Sequence, residues 1–161
     1  MTSIPLPARI SVLVLVTAIM YGCLGYVPGR QTYWDAKVRE LCAKDGGVKI
    51  FEHIVVSPSQ TSLLPKVGGF FGVAPEALAK PEEPGFTRIR QTMLHEGNPS
   101  VIRYEEEIVR RADRRIVGIA ISYGRGGGDF PSIAHPSSFH CPEFVKIYEG
   151  IHQVYRIEVA K

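Results

Sequence analysis

The residue types best suited to chemistry cluster late in the chain. Asp129, His135, His140 and Cys141 are all metal-ligand types, and Ser137 and Ser138 lie beside both histidines. A zinc site needs several such side chains converging on one ion, usually through spacings such as HExxH or CxxC, and neither spacing is present. A hydrolase would use Ser137 or Ser138 with His135 or His140 as base, but neither serine sits in GxSxG. Upstream, Tyr123-Gly124-Arg125-Gly126-Gly127-Gly128-Asp129 has neither the Lys-Ser/Thr of a phosphate loop nor the G-x-G-x-x-G spacing of a dinucleotide fingerprint. The segment reads instead as a glycine-shaped loop, and within the longer stretch from Gly124 to Cys141 the residues Arg125, Asp129, His135 and His140 serve neither turn nor bridge and are candidates for contacting a partner. No catalytic residue, metal or cofactor is assigned. An envelope enzyme using Asp129, His135 and His140 is kept as the alternative.

Other conspicuous residues have structural readings. In Glu105-Glu106-Glu107, alternation on a strand points Glu106 opposite to its neighbours. The glutamates are expected to balance Arg110, Arg111, Arg114 and Arg115 across one hairpin. With Lys+Arg 19 against Asp+Glu 16, the +3 net charge is too small an excess to suggest a nucleic-acid partner. Tyr33 and Trp34 read as core anchors rather than a ligand platform.

The elements that position these residues begin with an export signal. Arg9 precedes Ile10 to Tyr21, twelve residues without a charge, the layout of a secretory signal. Three outcomes are open: acylation at Cys23 after Met20-Tyr21-Gly22, an uncleaved anchor over Ile10 to Val27, or ordinary cleavage after Ala18. An exported domain sits where cysteines pair. Of the 3 cysteines, Cys42 and Cys141 are expected to pair and Cys23 to be lipidated. Residues 1–23 are thus a signal peptide or anchor, 24–31 a tether, and 32–161 a single domain.

Within that domain Trp34, Val38, Leu41 and Cys42 form one stripe at helical period, so Thr32 to Lys44 is predicted as a helix stopped by Gly46-Gly47. Strands are predicted at Val48–Val56, Phe86–His95, Ser100–Arg111, Arg114–Tyr123 and Gln153–Val159. Ser57 to Gly85, rich in Pro and Gly, reads as a long surface excursion. The expected class is α+β, with an N-terminal helix on an antiparallel sheet of about five strands and one disulfide.

Taken together, Tyr33-Trp34-Asp35, Leu41 to Gly47, Gly97-Asn98-Pro99, Val109-Arg110-Arg111, Ser122 to Phe130 and His135 to Pro142 resemble a family of small, uncharacterised proteobacterial envelope proteins, many with lipoprotein-type signals. The resemblance implies an exported protein with paired cysteines and no established activity. The combined expectation is a lipidated, membrane-tethered domain on the periplasmic side, binding or structural in role. Its partners would be the membrane, through the N-terminal segment, and an envelope protein or polysaccharide; an inhibitor or immunity-type role is a further alternative.

Overall fold

The computed structural model describes residues 6–64, 66–67, 70–128 and 136–158. The fold is α+β. Helix α1 (Leu6–Asp45) leads into β1 (Gly47–Ile50) and β2 (Ile54–Val56). A 3-10 turn (Pro58–Leu63) and the short pair β3 (Lys66–Val67) and β4 (Phe70–Phe71) follow. The long strands β5 (Gly85–His95), β6 (Ser100–Arg110) and β7 (Ile116–Gly126) come next, then β8 (Ser138–Cys141), α2 (Phe144–His152) and β9 (Tyr155–Ile157).

The main sheet has five strands, all antiparallel. β5, β6 and β7 form a meander, while β1 and β8 share the far edge of β7, end to end. Because side chains alternate along a strand, the sheet has two distinct faces, and each is covered. On one, α1 lays Val38 and Cys42 against Val101, Ile121 and Tyr123, flanked by Trp34, Leu41 and Phe139. On the other, α2 lays Ile147 and Ile151 over Ile108 and Ala120, with Ile54, Val56 and Val154 filling the same core.

Several sequence expectations change. The helix expected from Thr32 extends back to Leu6, so the segment 24–31 read as a tether is helical. Pro28 has no amide hydrogen, and the turn below it lacks one intrahelical bond. The strand expected over Val48–Val56 is two. β1 joins the main sheet, whereas β2 leaves it after Phe51–His53 and runs parallel to β9. The closing strand therefore belongs to a separate pair. The helix α2 and strand β8 were not anticipated.

Consecutive side chains from Ser11 to Met20 are all exposed, including Val12, Leu13, Val14, Leu15 and Val16. Among the described residues, no helix is long and apolar enough to cross a membrane.

Candidate functional site

The glycine-rich segment is only partly a loop. Gly124, Arg125 and Gly126 belong to β7 and pair with His140, Phe139 and Ser138 of β8. Gly124 allows this approach: a Cβ there would lie 3.0 Å from the His140 ring. Beyond it, Gly127 and Gly128 both take positive φ, which costs glycine little.

Arg125 was expected to face a partner, but it is 4% exposed. Its Nε donates to Asp35 Oδ1 at 2.6 Å, and its Nη1 donates to the Gly127 carbonyl and to Ser137 Oγ at 3.1 Å. The guanidinium thus clamps the chain after β7 and the chain before β8 onto α1. Neighbouring groups repeat the pattern. Gln31 donates to Ser137 Oγ, the Gly128 amide donates to Asn98 Oδ1, and Trp34 packs on His95 with ring centroids 4.1 Å apart. Many of the motif residues singled out by resemblance meet in this corner, and the contacts there hold α1 to the sheet.

The Cys42–Cys141 disulfide closes the same face, joining positions 99 residues apart. Past it, Tyr123 donates to Asp45 Oδ1 at 2.6 Å and Arg103 reaches Oδ2 at 3.3 Å. Hydrogen bonding by Tyr123, aided by Arg103, holds the Asp45 carboxyl below its ordinary range. Burial, reinforced by Asp45, raises the Tyr123 hydroxyl.

Asp129 and His135 lie outside the described residues. Among the described residues, no group of three or more His, Cys, Asp and Glu is placed to hold a metal ion.

His140 leads to the opposite face. Its ring packs on Phe144 at 4.5 Å between centroids. Burial, with Arg125 nearby, lowers its pKa. Phe144 opens α2 and forms one wall of a cavity of about 170 Å³ between α2 and the sheet. The floor consists of cross-strand rows: Ile89, Glu106 and Ala120 in one, Tyr104 and Ser122 in the next. Phe144, Ile147 and Tyr148 form the roof, at i, i+3 and i+4 on one helix face. Small side chains at Ala120 and Ser122 leave the space open. Ile89 and Phe144 remain about half exposed and mark the mouth.

Among the described residues, Glu106 is the one carboxylate in this lining. Sequence reasoning had placed it on a solvated hairpin with Glu105 and Glu107. Alternation does turn it away from them, but the face it turns to is covered by α2. Burial raises its pKa; the nearby Thr87 hydroxyl opposes the shift without forming a hydrogen bond of normal geometry. Its neighbours Glu105 and Glu107 face Arg90 across the other side of the sheet. The expected partners of the glutamates are engaged elsewhere. Arg110 binds Asp113 and Glu52, Arg114 binds Glu76, and Arg111 donates to the Lys80 and Glu83 carbonyls. Arg111 and Arg114 therefore pin the excursion between β2 and β5, while Arg110 ties the hairpin turn to the link between β1 and β2.

The signal that would have found α2 is the apolar set Phe144, Ile147, Tyr148 and Ile151, spaced i, i+3, i+4 and i+7. The chain matches no family model, no curated protein and no solved structure.

Proposed function

We propose that the chain is an exported envelope domain, lipidated at Cys23 and tethered to the membrane on the periplasmic side, with a binding role. The observation that carries this reading is the Cys42–Cys141 bridge. Such bridges persist in oxidising compartments, and this one accounts for all the cysteines except the one that ends the apolar run. The apolar collar from Val12 to Met20 supports it further. Side chains exposed on every side of a helix suit lipid rather than water, and cleavage before Cys23 removes that surface with the signal. The resemblance to lipoprotein-type envelope proteins points the same way.

The binding role rests on the cavity beneath α2, whose mouth is apolar and whose floor holds one carboxylate. The loop expected to make contacts contributes through His140, beside Phe144, while Arg125 is committed to the fold.

The intact mass of the mature native protein tests the tether. The expected species starts at Cys23, carries acyl chains and lacks the hydrogens of one reduced cysteine pair. Cys23→Ser abolishes fatty-acid labelling. A wild-type protein that starts elsewhere and never takes up label overturns the lipidated reading.

A further inference from the structure

We propose that the cavity between α2 and the sheet binds a small alkylammonium group, quaternary or protonated, between the rings of Tyr104, Phe144 and Tyr148 with Glu106 as its counter-charge. This deepens the binding half of the proposed function; the choline preference does not depend on the tether, and only the comparison of lipids does.

Aromatic faces attract cations through their quadrupole, and several rings around one site make a cage for ammonium groups. Here Tyr104 comes from β6, and Phe144 and Tyr148 from α2. The rings therefore reach the same space from the floor and the roof. Ile89, Ala120 and Ile147 complete a lining that suits the methyl or methylene shell of such a group. The size agrees: a cavity of about 150 Å³ accommodates benzene, and the one here is about 170 Å³.

Glu106 makes the lining selective for a cation over a neutral apolar group. Among the described residues it is the cavity's only carboxylate, and no lysine or arginine stands within ion-pair distance of it. Arg88 and Arg90 flank its partner Ile89 but point to the opposite face. A part-buried carboxylate with only the Thr87 hydroxyl nearby and no cation beside it is incompletely compensated, and an ammonium ion entering between the rings would supply the opposite charge. The other titratable groups of the lining are Tyr104 and Tyr148, with His140 beyond Phe144.

Two sources present this chemistry: a free choline-like solute and the headgroup of a choline lipid. The test uses the full chain in nanodiscs of phosphatidylglycerol, which has no ammonium group. Choline and its neutral isostere 3,3-dimethylbutanol are titrated by calorimetry at mildly alkaline pH, which favours the ionised form of Glu106. Choline is expected to bind about tenfold or more tightly than the isostere. Glu106→Gln should remove that preference by bringing choline's affinity down towards that of the isostere, and Phe144→Ala should weaken choline. Repeating the titration in phosphatidylcholine nanodiscs assigns the source. Weaker apparent choline binding there identifies the headgroup as a competitor; unchanged binding identifies the free solute. The proposal is overturned if choline and isostere bind alike, if neither binds to the folded protein, or if Glu106→Gln keeps the preference. None of these results bears on the mass of the mature chain, so the tether stands or falls separately.

Discussion

Glu106 shows how much one side chain depends on what covers it. Its pKa is raised by burial, so the folded state holds the proton more tightly than the unfolded chain. By linkage, its contribution to stability is present below the ordinary carboxylate pKa and is lost as pH rises through the raised value. Glu106→Gln removes the charge but keeps the shape. The variant should therefore melt at a higher temperature than the wild type at neutral and mildly alkaline pH. The gap should close as the solution is acidified and the wild-type carboxyl becomes protonated. Melting curves across that range check the sign; a variant less stable at neutral pH would mean that the ionised carboxylate has a partner in the fold. The direction in which Glu106 points was legible in the sequence, because strand alternation alone sets it apart from Glu105 and Glu107. Its surroundings were not, since they are built by α2, whose residues lie some forty positions away. Arg125 illustrates the same limit. Its type suggested a surface contact, but the Asp35 that accepts from it is 90 residues distant, and no local pattern announces that pairing.

The elements divide by the range of their contacts. The meander of β5, β6 and β7 was legible because its partners are neighbours in sequence and its alternation is long. The Cys42 stripe of α1 was legible for a similar reason, since helical periodicity repeats over several turns. The break between β1 and β2 was not. Both halves alternate, and what separates them is that β9, from the far end of the chain, captures the second. The small side chains of Gly118, Ala120 and Ser122 leave one face of β7 shallow enough for a helix to lie close against it. In the structure α1 covers the branched face and α2 the small one. Close contact between α2 and the sheet edge depends on Gly150, where an added Cβ would lie 2.6 Å from Val48 Cγ2 and 2.8 Å from Val48 Cβ. Gly150→Ala should therefore destabilise the protein by about 1–3 kcal/mol through overpacking, despite the better helix propensity of alanine. Adding Val48→Ala should recover part of that loss, a non-additivity expected of residues in contact. Urea denaturation of the singles and the double measures it. Additive losses would place the strain elsewhere.

At the scale of the whole molecule, one sheet separates two apolar clusters that share no residue. The disulfide belongs to one of them. It fastens the end of α1 to β8, beside the Asp35–Arg125 and Asp45–Tyr123 contacts, and the cavity lies on the other side of the sheet. Opening the bridge releases a loop of 99 residues, for which the chain-entropy model sets a loss of up to about 4.7 kcal/mol. The double variant Cys42→Ser, Cys141→Ser should lose about 3–5 kcal/mol, and the loss should be unevenly distributed. Because that cluster and the polar contacts beside it hold α1 to the sheet, its amides and those of β8 should exchange faster with solvent. The amides of β5, β6 and α2 should keep most of their protection, as local opening follows the contacts removed. Hydrogen exchange on the intact and bridge-free proteins distinguishes this from a single cooperative unit, in which all elements would lose protection together. If α1 alone loosens, choline binding should survive in the bridge-free protein, since no residue belongs both to the cavity lining and to the bridge's cluster. If binding is lost with the bridge, the faces are coupled through the sheet, and the disulfide stabilises the ligand site as well as the helix.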